Sequence, residues 1–196
     1  MNNRVGIFSG TFDPIHLGHI AFAVETLKVC RLDKIVFLPE EKPREKHGVT
    51  DISHRLELLK LATKDMKKFD VVTSDSKQFS VKDTLPELQN MFKGASFTLL
   101  IGSDVVKTFS YRWDNLGTLL NNVSLAIGMR NSDTVDEIMT IIKQLETNFA
   151  TNIDYKLINA PNMDIASSGV RNNQLEKSRL NSAVDVYIKK HKLYNC

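Results

Sequence analysis

Six short apolar runs recur along the chain: RVGIF at 4–8, KIVFLP at 34–39, DVVTS at 70–74, FTLLIG at 97–102, VSLAIG at 123–128 and YKLINA at 155–160. They are rich in Val, Ile and Leu and mostly continuous rather than alternating. Strands of that kind are buried on both faces, as in a parallel sheet. Helical patterns lie between them, over 17–30, 53–68, about 81–93 and 134–148. This order predicts right-handed βαβ units in one domain spanning 1–196, an α/β fold of Rossmann-like, doubly wound type. The sheet is expected to be mainly parallel with helices on both faces. Ligands of such sheets bind beyond the carboxyl ends of the strands, so the segments that follow each strand carry the search for function. The tail at 178–194 reads as one or two closing helices, and 39–51, PEEKPREKHGVTD, as a charged surface loop able to act as a lid.

Composition narrows the classes. The 196 residues carry 26 basic and 23 acidic side chains, a net charge of +3, with no arginine-rich arm or basic run. Nucleic acid is therefore not the expected partner. No basic leader precedes a long apolar stretch and no run is long enough to span a bilayer, so the expectation is a cytoplasmic protein without a membrane partner. Cys30 and Cys196 have no zinc-like spacing and read as free thiols in a reducing compartment. A helix pair near the C-terminus can pack internally or against a second copy, which leaves a homo-oligomer open.

The stretch GIFSGTFDPIHLGHI at 6–20 has the most chemical content. Gly10 permits an unusual backbone, and Asp13–Pro14 favours a break before a helix that starts between Pro14 and Leu17. A strand–turn–helix start at the head of such a sheet presents unpaired N–H groups and a positive dipole end. His16 and His19 fall on one face of that first turn. Their spacing admits three readings: half a metal site with Asp13, a phosphate cradle, or two polar residues on an ordinary helix face. No HExxH pattern or later Cys/His cluster supplies further ligands, and neither GxGxxG nor GxxxxGK[ST] is present. The cradle is favoured.

GTFDPIHLGH resembles the signature of the His-x-Gly-His nucleotidyltransferase superfamily, and specifically of bacterial nicotinate-nucleotide adenylyltransferases. Ser9 stands where that family has the first of two glycines. A second signature, similar to Ile-Ser-Ser-Thr-x-x-Arg, is matched by IASSGVR at 165–171, with Ala166 and Ser168 as departures. The resemblance continues through HRLELLKLA at 54–62, LLIGSDVV at 99–106, YRWDNLGTLL at 111–120 and AIGMR at 126–130. Two segments have drifted: Pro43-Arg44-Glu45-Lys46 keeps only the first Pro and the basic end of the family loop, and FSVKDTL at 79–85 keeps Asp83, Thr84 and Leu85.

The resemblance implies transfer of AMP from ATP to nicotinate mononucleotide, giving nicotinate adenine dinucleotide and pyrophosphate in NAD biosynthesis. It implies catalytic roles for His16, His19 and Arg171. ATP would be bound by Ser9, Gly10, Thr11, Phe12, Gly102, Asp104, Arg130, Ser167 and Ser168. The acceptor would be bound by Lys46, by Thr84 through its backbone N–H, and by Trp113 through stacking on the pyridine ring. Mg²⁺ would be held mainly by ATP phosphates, with no dedicated protein ligands. His47, His54 and His191 have no motif support and read as structural or solvent-facing. Rival readings are another phosphate acceptor (nicotinamide mononucleotide or phosphopantetheine), a nucleotide-binding module without turnover, and a metal hydrolase using Asp13, His16 and His19.

Overall fold

The structure, a computed structural model, describes residues 3–44, 46–130, 133–171 and 179–194, apart from the side chain of Arg112. Strands β1 (Arg4–Gly10), β2 (Lys34–Pro39), β3 (Phe69–Val71), β4 (Ser96–Gly102), β5 (Val123–Gly128) and β6 (Tyr155–Ile158) form one sheet. Their order is β3-β2-β1-β4-β5-β6, and every neighbouring pair is parallel. The doubly wound α/β architecture expected from the apolar runs is present.

The runs look continuous because both sheet faces are covered. Side chains alternate between faces along a strand, so each run splits into two cores. Val5, Ile7, Val36, Leu38, Leu99, Leu125 and Ile127 enter one core, whereas Phe8, Ile35, Phe37, Leu100 and Ala126 enter the other. The first core is closed by α3 (Thr84–Met91), α6 (Leu116–Asn122) and α7 (Val135–Phe149), which contribute Leu88, Leu119, Ile138 and Ile142. The second is closed by α1 (Leu17–Val29), α2 (Ile52–Thr63) and α9 (Ser182–Lys190), through Phe22, Leu58, Leu59, Val184 and Ile188. Full burial of each such side chain contributes roughly 1.5–3 kcal/mol.

Local chemistry moved several boundaries. Helix α2 ends at Thr63 rather than 68, because Met66 N–H donates to Thr63 O and Phe69 N–H to Met66 O, turning the chain into β3. That strand stops at Val71, since Val72 N–H makes its last bond to β2, at Phe37 O. Helix α3 begins at Thr84 because 80–84 closes into a turn in which Thr84 N–H donates to Ser80 O. The 103–122 segment, where no helix was expected, winds into α4 (Ser103–Val106), α5 (Phe109–Arg112) and α6. Helix α8 (Ser167–Arg171) follows β6. His54 and His191 do lie in a packing seam: His54 Nδ1 is 3.0 Å from Tyr187 Oη, and the Tyr187 and His191 rings stack at 4.2 Å, joining α9 to α2.

Strand order reverses between β1 and β4, whose carboxyl ends are Gly10 and Gly102. Ligands of such sheets bind at the switch point, and the β1–α1 turn lies there with the 165–171 motif docked on it.

Candidate active site

Three buried polar residues, Thr11, Asp13 and His16, occupy the turn between β1 and α1. Phe12, between Thr11 and Asp13, holds a left-handed backbone at φ 49°, sparsely populated for a bulky residue. Its ring is anchored against Phe8 at 5.2 Å and Phe37 at 5.6 Å, so the core holds the turn in place. The Phe12 side chain is thus a core anchor that also backs the site, its ring edge-on to His19 at 5.2 Å. Ser9 Oγ, at the end of β1, is buried with no hydrogen-bond partner among the described residues. Helix α1 begins at Leu17, the late end of the expected range, with His16 in its cap position.

His16 and His19 stack with ring centroids 3.6 Å apart. The His16 N–H donates to His19 Nδ1 at 3.3 Å, so a neutral His19 ring carries its proton on Nε2. Burial lowers the His16 pKa to about 4, with Arg130 adding to the effect. Burial lowers His19 well below the usual imidazole value, and His16, Lys46 and Arg130 push it the same way. Both rings are therefore neutral at physiological pH. His16 Nδ1 is buried with no partner among the described residues. Two neutral rings at a helix start, with Lys46 and Arg130 near enough to depress their basicity, form a site suited to an anion.

The second motif is seated on the first. Ser167 Oγ donates to Pro14 O at 3.1 Å, and Arg171 Nη1 donates to Asp13 O at 2.7 Å. Arg171 Nη1 also stands 3.8 Å from Asp13 Oδ2. Gly18 makes the approach possible, since a Cβ there would lie 2.3 Å from Asn162 O. Ser168 is exposed on the same short helix. Lys46 reaches in from the 39–51 loop and donates to Thr11 Oγ1 at 2.7 Å. It was expected on the acceptor side; here it touches the first motif. Arg130 Nη2 pairs with Asp104 Oδ2 at 3.3 Å, joining the ends of β5 and β4 beside Gly102.

Asp13, the carboxylate of the metal half-site reading, is already engaged. Asp13 Oδ1 accepts from Tyr194 Oη at 2.7 Å and Oδ2 from Thr50 N–H at 3.4 Å, so the carboxylate serves the protein frame. Among the described residues no group of three or more His, Cys, Asp or Glu is placed to hold a metal ion.

The other two residues expected on the acceptor side, Trp113 and Thr84, are tied into their own segments. Trp113 packs edge-on against Phe109 at 5.0 Å and tilts toward Phe79 at 6.1 Å. Its Nε1–H is used internally, on Thr108 Oγ1 at 3.2 Å. Thr84 is fully buried; its N–H donates to Ser80 O and its Oγ1 accepts from Ser80 N–H. Both polar groups of Thr84 are spent within the 80–84 turn, so a carboxylate contact through that N–H requires the turn to open. The two drifted segments touch: Arg44 Nη2 donates to Phe79 O at 3.2 Å, and Phe79 N–H donates to Glu40 Oε1 at 2.9 Å. Glu45 lies outside the described residues.

Motif reading gave no individual role to Arg55, Tyr194 or Phe79, and it considered Asp13 only in the turn before the helix and as a metal ligand. For Arg55 a signal existed. With Leu58, Leu59 and Ala62 it lies on the i, i+3, i+4, i+7 stripe that α2 buries.

The cytidylyltransferase-like family model matches residues 7–173. A "Probable nicotinate-nucleotide adenylyltransferase" of Listeria monocytogenes is 31% identical over 200 residues, covering 99% of this chain and 98% of its own. One of the same name from Clostridium tetani is 28% identical, covering 86% and 85%. Among solved structures, Plasmodium falciparum nicotinic acid mononucleotide adenylyltransferase complexed with NaAD superposes with a TM-score of 0.77 at 19% identity, over 99% of this chain and 98% of that one. A putatively assigned nicotinate-nucleotide adenylyltransferase from Vibrio parahaemolyticus gives 0.65 at 18% identity, over 98% and 95%. Matched by that family model over most of its length, and 31% identical to the Listeria protein nearly end to end, the chain belongs to the nicotinate-nucleotide adenylyltransferase family within the cytidylyltransferase-like group.

Proposed function

We propose that the protein transfers the adenylyl group of ATP to nicotinate mononucleotide, releasing pyrophosphate and forming nicotinate adenine dinucleotide for NAD biosynthesis. The observation that carries the reading is the docking of Ser167 and Arg171 onto the Asp13–Pro14 turn that leads into the neutral His16–His19 pair. An acceptor phosphate oxygen attacks the α-phosphorus of ATP, and the bond to the departing pyrophosphate breaks in line with it. A phosphate nucleophile is already ionised at neutral pH, so no strong base is required. The protein brings two anions together and stabilises charge on the leaving group.

In this reading the His19 Nε2–H and a ring N–H of His16 meet the phosphates of ATP. Arg171, held by the Asp13 carbonyl, supplies a fixed positive charge, and Ser167 and Ser168 add hydroxyl donors. Ser9, Gly10, Thr11 and the Phe12 backbone line the phosphate path. Gly102 and Asp104 take the ribose, and Arg130 borders the adenine. The Trp113 ring takes the pyridine, with Thr84 near its carboxylate. Lys46, bonded to Thr11 Oγ1, meets the acceptor phosphate where it approaches ATP. Mg²⁺ carried by ATP would supply charge neutralisation on its phosphates. The cradle's neutral and cationic donors, with the Asp13 carboxylate already engaged, suit a metal carried by the nucleotide rather than a protein cage. The buried free thiol of Cys30 suits a reducing, cytoplasmic location.

The test supplies ATP and Mg²⁺ with nicotinate mononucleotide, nicotinamide mononucleotide or phosphopantetheine and follows pyrophosphate. Fastest release with nicotinate mononucleotide is expected. No release with any acceptor overturns adenylyl transfer, and faster release with another acceptor overturns only the acceptor.

A further inference from the structure

Arg55 is a buried cation that the reaction does not touch. It is 1% exposed, and among the described residues its side-chain hydrogen bonds end on backbone carbonyls. Its Nε donates to Thr50 O at 2.7 Å, Nη1 to Thr11 O and Glu40 O, both at 2.8 Å, and Nη2 to Glu41 O at 3.1 Å. Among the described residues no carboxylate lies within ion-pair distance of it. Asp13 is the leading charge that opposes its desolvation.

Those four carbonyls belong to three segments that must stay in register. Thr11 lies in the turn after β1. Glu40 and Glu41 begin the loop that carries Lys46, and Thr50 ends it. Arg55 therefore grips both roots of the Lys46 loop and the backbone of Lys46's own partner. Glu40 N–H donates to Gly10 O at 3.0 Å, a second tie between the same segments. Burying a guanidinium is costly, and an apolar side chain of similar volume often serves a fold as well. A planar fork, unlike an apolar side chain, fixes the spacing between separate carbonyls. A lysine ammonium, one nitrogen on a flexible stem, cannot serve the carbonyls divided among Nε, Nη1 and Nη2.

We propose that Arg55 is a positioning residue for the transfer, setting the Thr11 hydroxyl and the Lys46 ammonium, 2.7 Å apart, against the nucleotide phosphates. The inference rests on the adenylyl-transfer reading, and it acts through Lys46 and Thr11, never on a reacting atom.

The test is a double-mutant cycle on pyrophosphate release from ATP, Mg²⁺ and nicotinate mononucleotide, with urea unfolding run alongside. Arg55→Lys is expected to lower kcat about 10-fold in the wild-type background and less than about 2-fold once Lys46→Met is present, because the pair acts as a unit. Arg55→Met, which fills the volume without the fork, is measured beside it and is expected to behave the same way. Additive losses in the cycle, or normal kcat in folded variants, overturn the proposal. Failure of both variants to fold also overturns it, by making Arg55 a residue of folding alone. A wild-type protein that releases no pyrophosphate fails the reaction reading instead, and that result is read before any variant.

Discussion

Tyr194 Oη donates to Asp13 Oδ1 at 2.7 Å, tying the far end of the described chain to the turn that starts the site. Asp13 is 2% exposed, and its other oxygen takes the Thr50 N–H and faces Arg171. One buried carboxylate thus joins the first motif, the approach to α2, the second motif and the C-terminal segment. Burial pushes the Tyr194 phenol well above its usual pKa, so it remains a donor at neutral pH.

Tyr194→Phe removes the hydroxyl that Asp13 and Thr50 both contact. Asp13 then stays buried with its charge less satisfied, and hydrogen bonds to charged groups contribute about 1.5–3 kcal/mol. Urea unfolding at pH 7 is expected to report a loss of that size. A midpoint equal to the wild type removes Tyr194 from the network.

His19→Asn separates two jobs of one ring. The Asn amide oxygen sits where Nδ1 accepts the His16 N–H, so the helix start survives, whereas nothing replaces the Nε2–H. Turnover is expected to fall about 10²-fold, the scale of losing one preorganised donor, with KM for ATP moving little. Turnover within a few-fold of wild type refutes the donor role.

Much of this was legible in the sequence because its causes are local or repetitive. The six strands announced themselves through burial on both faces, and both motifs are contiguous words, although the unusual backbone expected at Gly10 falls at Phe12 instead. Helix ends were less legible. The basic, amphipathic pattern of α2 runs on past Thr63, and only the Met66 and Phe69 turn bonds stop it. The Lys46–Thr11, Arg44–Phe79 and Tyr194–Asp13 pairs bring together residues far apart in the chain, with no periodicity to mark them. Arg55 lies between these cases: its place on the apolar stripe predicts burial, while its four carbonyl partners appear only after folding.

Gly18→Ala tests how the two motifs are held together. The added methyl would meet the Asn162 carbonyl at 2.3 Å, a backbone atom that cannot rotate away. Helix propensity favours alanine by about 1 kcal/mol, but overpacking against backbone costs about 1–3 kcal/mol and should win. The expected result is a lower thermal midpoint and a turnover loss exceeding that of the stability-matched Tyr194→Phe, because the 159–166 segment that delivers Ser167 and Arg171 must shift. A stabilised, fully active variant refutes the close approach.

His16 makes stability depend on pH with a sign fixed by burial. Its pKa is about 4 in the folded protein against 6.5 as the ordinary value, so folding favours the neutral ring. Above pH 6.5 the ring is neutral in both states and contributes no pH dependence. Between 6.5 and about 4 the unfolded chain takes up the proton and the folded chain does not, so stability falls as pH falls. The slope approaches about 1.4 kcal/mol per pH unit, about 3 kcal/mol across the whole window. His19, shifted in the same direction, steepens the fall. Urea unfolding of wild type and His16→Gln at pH 7 and pH 5 isolates the His16 share, since other carboxylates and histidines titrate in both. The wild type is expected to lose about 2 kcal/mol more than the variant over that interval. Parallel losses would mean that His16 is protonated in the folded protein, and the neutral cradle would have to be abandoned.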